Sequence, residues 1–171
     1  MGVRQTNMVE VAERFGRLLR SVVPAFEQRI HWVIGDSPPA EAIRDQELIT
    51  YSFQGGQFDY PNQVGGPIVD WHGSVRVCVW ASNYSDVNGA SSQLLVGTPH
   101  GLYRMEQKLL LMCGSNLEDG DPLDLILLDG IKALNDDVSH QASSDAWQDK
   151  FTAVLSVTFS IDFQWDLTSD D

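Results

Sequence analysis

The side chains of this chain that are best suited to metal binding or nucleophilic catalysis are its histidines and cysteines. They are His31, His72, His100, His140, Cys78 and Cys113. None of the histidines has another His or a Cys at the spacing of a metal site. His72 and Cys78 share one predicted strand, but no nucleotide-binding or nucleophile-elbow motif accompanies them. The sequence therefore predicts no metal site, no cofactor and no enzyme activity.

Acidic residues offer two further candidates for chemistry. The segment from Gly114 to Asp121 resembles a calcium loop, yet Gly120 falls at a ligand position and no glutamate follows at the bidentate place. The neighbours Asp136 and Asp137 could act as acid and base only if burial or a charged partner tuned them. Both segments are polar, so we expect solvated turns instead.

The elements that would position such residues belong to one domain spanning 1–171, with flexible ends at 1–7 and 166–171. The longest wholly apolar run, Leu109–Cys113, is too short to span a membrane. No apolar signal segment precedes the first predicted helix. Two cysteines provide no disulfide framework, so we expect folding in the cytosol with reduced thiols.

The clearest structural signal is the segment Thr152–Trp165, where apolar and polar residues alternate with Val154 as the one exception. Alternation with period two is typical of a half-buried antiparallel strand. This strand is long compared with a usual length of about 5–6 residues. Because unpaired strand edges are adhesive, we expect its end, which carries Phe163 and Trp165, to pair with a second copy.

The remaining patterns predict two helices and several strands. The predicted helices cover Met8–Ile30, capped by Asn7 and kinked at Pro24, and Pro99–Gly114. The predicted strands are His31–Ile34, Leu48–Gln54 with a bulge at Gly55-Gly56, Ile68–Ser82, and one that begins at Ile131–Asn135. The predicted loops are 35–46, 83–98 and 136–145. Together they indicate an α+β fold: an antiparallel sheet with long strands and two helices packed on one face.

Charge and aromatic residues suggest surfaces for self-association. Residues 115–171 carry 13 acidic and 2 basic side chains, whereas the first helix carries Arg14, Arg17 and Arg20. One interpretation is an acidic, solvated surface. The other is a molecule with a positive and a negative end, suited to head-to-tail association. Trp80 faces away from the valine row of its strand, either packed under a loop or at the centre of an interface.

The loop at 83–98 is long and polar, and it contains Asn88 and Gly89. Loops on rigid scaffolds often carry binding specificity, so this loop is a candidate contact with another component. An idle, disordered loop is the alternative. The charge of −13 argues against binding of DNA through the bulk surface.

The order of these segments resembles the tail terminator, or tail completion, proteins of long-tailed bacteriophages. The segments that carry the resemblance follow an N-terminal helix and include two tryptophans that open strands. They are LITYSFQGGQFDY (Leu48–Tyr60), WHGSVRVCVWA (Trp71–Ala81), the helix Leu102–Cys113, the strand Gly130–Asn135 with its Asp-rich loop, and WQDKFTAVLSVTF (Trp147–Phe159). The resemblance covers roughly residues 8–165. The loops at 35–46 and 83–98 are longer than in that family.

What the resemblance implies is a virion structural protein of the tail or neck, assembled in the host cytoplasm. It implies a homo-hexameric ring that caps the tail tube, ends its polymerisation and meets the head connector or stopper protein. DNA would pass through the lumen without specific binding. Another head-tail joining (neck) protein is the nearest alternative, and a small α+β enzyme or a monomeric adaptor are the others.

Overall fold

The computed structural model describes residues 6–35, 48–61, 65–83, 101–115, 127–142 and 151–168. A five-stranded sheet of order β1-β2-β3-β5-β4 forms its centre. The strands are β1 (Ile30–Trp32), β2 (Leu48–Asp59), β3 (Ile68–Asn83), β4 (Lys132–Ala142) and β5 (Phe151–Asp166). The helices are α1 (Met8–Val22), a 3-10 helix (Pro24–Arg29) and α2 (Leu102–Leu110). β1 is parallel to β2, and the other pairs are antiparallel.

The α+β fold predicted from the sequence is confirmed. One face of the sheet is covered by both helices, because their apolar stripes and the inward side chains of the strands belong to one buried cluster. The helices contribute Val11, Phe15, Leu19, Leu102, Met105 and Leu109 to it, and the central strands contribute Val75, Val77, Val79, Leu155, Val157 and Phe159. Period-two alternation in the strands and three-to-four spacing in the helices thus produce a single core.

Helix α1 begins at its predicted cap, where Asn7 Oδ1 accepts a hydrogen bond of 2.8 Å from the Glu10 amide. The predicted kink at Pro24 takes the form of a change to 3-10 helix, since proline supplies no amide donor. Gly16 lets the helix lie close to β2, because a Cβ there would stand 2.6 Å from Tyr51 Oη. The Tyr51 hydroxyl donates to the Ala12 carbonyl oxygen at 3.0 Å.

β5 has the predicted extent, but its partners lie within the chain. β3 pairs with it over all 16 residues, from Asn83–Phe151 to Ile68–Asp166. β4 covers the other side of β5 from Phe151 to Ser160. Leu127 then forms a bridge to Phe163, and Thr6 forms one to Trp165. The expectation that the end of β5 pairs with a second copy is therefore wrong, because this end is already paired on both sides.

Two local predictions have different outcomes. The bulge at Gly55-Gly56 is confirmed, since the β2–β3 register shifts between Phe53 and Gly56 and Gly55 has a φ of +72°. The loop predicted at 136–145 is wrong over its first part, because Asp136–Ala142 belongs to β4. This strand lies at the edge of the sheet and its residues from Lys132 to Asp137 are exposed, so no apolar alternation marks it. The loops at 35–46 and 83–98 lie almost wholly outside the described residues.

Thr6 belongs to the segment 1–7, for which the sequence predicts a flexible end. Its amide donates to the Gln164 carbonyl oxygen at 3.0 Å, and its own carbonyl oxygen accepts from the Asp166 amide at 2.9 Å. At the other end, the Leu167 amide donates to the Pro67 carbonyl oxygen at 2.7 Å. These bonds tie Thr6 and Leu167 to the neighbouring strand and loop backbone.

Candidate functional site

His72 is 40% exposed and lies on the face of the sheet opposite the helices. Its Nδ1 lies 3.2 Å from Asp162 Oδ1 and its Nε2 lies 3.5 Å from Asp59 Oδ2, contacts that become ion pairs when the ring is protonated. Cys78 stands on the same strand about 20 Å away, at roughly 3.3 Å per residue. Its Sγ lies 3.7 Å from Ser156 Oγ. His72 and Cys78 cannot act on one substrate atom.

Metal-ligating side chains do not converge in the part of the chain that the structure describes: no three or more of its His, Cys, Asp and Glu residues are placed to hold one ion. Of the calcium-like segment 114–121, only Gly114 and Ser115 fall within the described residues. No helix among the described ranges is long and apolar enough to cross a membrane.

The three arginines predicted to form a basic face of α1 have different environments. Arg14 is buried, with 9% of its surface exposed, and its Nη2 lies 3.0 Å from Glu10 Oε1. Arg17 is exposed and Arg20 is half-buried beside Tyr51. Arg17 and Arg20 therefore present positive charge at the surface, whereas Arg14 belongs to the packing of the helix.

The predicted aromatic contacts lie mostly inside the molecule. Trp80 is 5% exposed and its Nε1 donates to Thr50 Oγ1 at 3.1 Å, within a small cluster that includes Leu48 and Val154. Phe163 is fully buried, 5.1 Å from the ring of Trp71. Trp165 alone of the three reaches the surface, half-buried. Asn88 and Gly89 lie outside the described residues.

Exposed apolar side chains that the sequence analysis did not single out mark the β1 edge of the sheet. Trp32 is 48% exposed and Ile34 is fully exposed there, whereas Phe58, also 48% exposed, lies seven residues along β2 from Tyr51, the partner of Trp32. Trp32 packs against Phe53 at 6.1 Å between ring centroids, and Phe58 packs against Trp165 at 6.0 Å. We call Trp32 and Ile34, together with the basic residues Arg17, Arg20 and Arg29 of the adjacent helices, the β1 surface.

A second exposed apolar group lies at the opposite edge, between α2 and β4. Leu110 is 42% exposed, Leu111 is 74% exposed and Leu134 is 60% exposed. Leu110 and Leu134 border a groove of about 160 Å³, which is also lined by Glu106, Ala133, Asn135, Asp136 and Val157. We call this groove with Leu111 the β4 surface. The run Leu109-Leu110-Leu111 indicates an exposed leucine in the sequence itself, because three consecutive leucines of one helix cannot all face the core.

Two acidic side chains meet in the wall of that groove. Burial raises the pKa of Glu106, and the hydrogen bond and negative charge of Asp136 raise it further. Asp136 faces the helix side because it is paired with Val157, an inward residue of β5. The β4 surface thus combines exposed leucines with two crowded carboxyl groups.

Comparisons with known proteins add little beyond this geometry. No protein-family model matches the sequence, and no curated protein matches it. One solved structure aligns with 88% of this chain and 89% of its own length, at a TM-score of 0.42 and 11% identity. A second, from the virion of a native gene transfer agent (GTA) particle, aligns over 84% of each chain at a TM-score of 0.38 and 12% identity. The likeness to this virion component is weak, and it identifies neither family nor function.

Proposed function

We propose that this chain is a phage virion structural protein that forms a ring capping the tail tube. The ring ends tail polymerisation and joins the tail to the head, with the tail tube protein and the head connector or stopper protein as its partners. The order of helix, long hairpin, helix and final long strand on which the family resemblance depends is the order of the described elements.

The observation that carries the ring is the placement of exposed apolar side chains at both edges of one sheet. Large exposed apolar patches, of more than a few hundred Å², mark interaction sites, and clusters of exposed apolar side chains are the candidates for them here. Trp32 and Ile34 lie at one edge, and Leu110 and Leu134 lie at the other. Two different surfaces on opposite sides of a molecule allow head-to-tail contacts, which close into a ring when the rotation between copies permits.

Charge supports the same arrangement. The β1 surface includes Arg17, Arg20 and Arg29, whereas the β4 surface includes Glu106 and Asp136. Complementary potentials guide association and fix its orientation. This distribution replaces the broader division of the chain into a basic helix and an acidic C-terminal third.

The proposal is tested in particles whose copy of this gene is interrupted by a stop codon. We expect over-long tails that are not joined to heads, and rescue when the intact chain is supplied in trans. Native mass spectrometry of the purified chain is expected to give six times 19 kDa. Normal particles from the interrupted gene would refute a role in the virion.

A different head-tail joining protein is the alternative within the same class. Tail length separates the two: loss of a terminator leaves tails over-long, whereas loss of a joining protein leaves tails of normal length that stay detached from heads. The enzyme alternative depended on His72 and Cys78, which the sheet holds about 20 Å apart.

A further inference from the structure

The groove of the β4 surface has the size of an aromatic ring. Its volume is about 160 Å³, and an apolar cavity of about 150 Å³ in another protein admits benzene. Its lining combines the apolar residues Leu110, Ala133, Leu134 and Val157 with the polar residues Glu106, Asn135 and Asp136. A groove of this volume and composition suits an aromatic side chain accompanied by a cation.

The β1 surface presents such a side chain. Trp32 is 48% exposed, and its packing against Phe53 restricts its orientation before any contact forms. A side chain that is ordered beforehand loses less entropy on binding. Arg29 stands at the end of the 3-10 helix that leads into β1, where its Cζ lies 4.7 Å from the ring centre of Phe26. Each copy thus offers an indole and, three residues earlier in the chain, a guanidinium group.

Within one copy these two features cannot meet. Four strand spacings of about 4.8 Å separate β1 from β4 in the order β1-β2-β3-β5-β4, a distance of about 19 Å. Any contact between Trp32 and the groove must therefore join two copies. Since the two surfaces differ, the contact is heterologous and can repeat around a ring.

We propose that Trp32 of one copy inserts into the groove between α2 and β4 of the next copy, with Arg29 facing Glu106 and Asp136. This inference builds on the ring of the proposed function and names the surfaces that form it. Tryptophan and arginine are the residues most enriched among those that dominate binding energy at interfaces. A cation placed here would also offset the repulsion between the two carboxyl groups.

The edge strand itself argues for contact through side chains rather than through backbone pairing. The β4–β5 register shifts between Ala133 and Asn135, so Leu134 forms a bulge, and Asp136 is a charged residue that faces inward. Bulges and inward charges are the features by which edge strands avoid pairing with other sheets. A groove beside such an edge still accepts a side chain from a neighbouring copy.

The experiment uses two variants of the full chain, each with one surface removed. Trp32→Ala removes the inserted ring and keeps the groove, and Leu110→Lys blocks the groove and keeps Trp32. We expect each variant alone to give 19 kDa by native mass spectrometry and self-association about 30-fold weaker or more. Mixed in equal amounts, they should form a complex of two chains that grows no further, because only one intact pair of surfaces remains.

Leu167→Lys is the matched control, because Leu167 is also an exposed apolar residue, at 48%, and lies outside both surfaces. It should keep the mass of the wild type, and circular dichroism should give the same folded signal for all three variants. Single variants that keep the wild-type oligomer would overturn the Trp32 contact while leaving the ring intact. Variants that stay single when mixed would also overturn it. A wild-type chain of 19 kDa at every concentration would instead refute the ring of the proposed function.

Discussion

The indole ring of Trp71 lies over Gly73 so closely that a Cβ atom at position 73 would stand 2.0 Å from it. Gly56, which pairs with Gly73 across β2 and β3, leaves room for the same ring, since its Cβ would stand 2.5 Å away. Two paired glycines thus create the space that a buried tryptophan fills. An aromatic ring laid over a strand glycine restores the packing that the glycine lacks.

Gly73→Ala should destabilise the fold, because the added methyl group must displace the buried ring of Trp71. Overpacking of this kind costs about 1–3 kcal/mol, measured as a lower urea midpoint. Gly66→Ala is the control, because no atom lies within 4 Å of a Cβ at that position. Equal midpoints for the two variants would contradict this packing.

Tyr51→Phe should cost about 1 kcal/mol at pH 7, because it removes the buried hydrogen bond to Ala12. The variant also tests a pH effect. Burial raises the pKa of Tyr51 above its ordinary value of 10.0, so the unfolded chain loses this proton first. Wild-type stability should fall as the pH rises above 10, and the difference between wild type and variant should shrink there. A constant difference up to pH 11 would argue against the burial of this hydroxyl.

Glu106→Gln should stabilise the fold near neutral pH. Because the folded state raises the pKa of Glu106 above 4.5, its stabilising contribution is complete below that pH and is lost as the pH rises through the folded-state pKa. Glutamine does not titrate. The variant should therefore be no more stable than the wild type at pH 4 and more stable at pH 7. The measurement is thermal unfolding in the Trp32→Ala background, which removes the effect of assembly.

Asp136→Asn provides the reciprocal check on that pair. Each single change relieves the same repulsion between the two carboxyl groups. The increase in the free energy of unfolding should therefore be smaller for the double variant, Glu106→Gln with Asp136→Asn, than the sum of the two single increases. Additive gains would place the cause elsewhere.

Trp80→Phe should lower the free energy of unfolding by about 1 kcal/mol, because it removes the indole N–H that donates a hydrogen bond to Thr50 Oγ1. Thr50 is itself 1% exposed, so water cannot replace the donor easily. The mass of the assembled protein should not change. A loss of assembly with unchanged stability would restore the interface role considered from the sequence.

Phe163→Ala should also act on folding, with a cost of about 3–5 kcal/mol. The ring is fully buried and contacts both Trp71 and Trp165. Chemical denaturation of the variant in the Trp32→Ala background measures this cost on the single chain. If Phe163→Ala in the otherwise wild-type chain keeps full stability and loses only assembly, the result would support the original interface assignment.

The sequence was sufficient where periodicity carries the information. Alternation located β5 and the face of each residue in it, and it placed Trp80 opposite the valines of β3, as observed. Periodicity does not predict that Trp80 is buried. Trp80 packs with Leu48 and Val154, its neighbours on the adjacent strands, and these neighbours are defined only by the register. For the same reason, the intramolecular partners of β5 were not predictable.

The candidate surfaces were harder to predict than the core. Trp32 belongs to a strand of three residues, too short for a pattern to show which side chain is exposed. Asp136 and Asp137 read as a solvated turn because an exposed edge strand has no buried side to impose alternation. Leu134 reaches the surface through a bulge, which depends on pairing with β5 rather than on local sequence.

The central place of β5 has a consequence for synthesis of the chain on the ribosome. The β2–β3 hairpin emerges well before β5, and the side of β3 that belongs to β5 stays open while α2 and β4 are translated. β4 has no partner of its own until β5 arrives, since it pairs with β5 alone among the described strands. A nascent chain therefore carries a long unpaired strand edge for much of its synthesis. Unpaired edges of this kind are prone to aggregation, from which chaperones protect nascent chains.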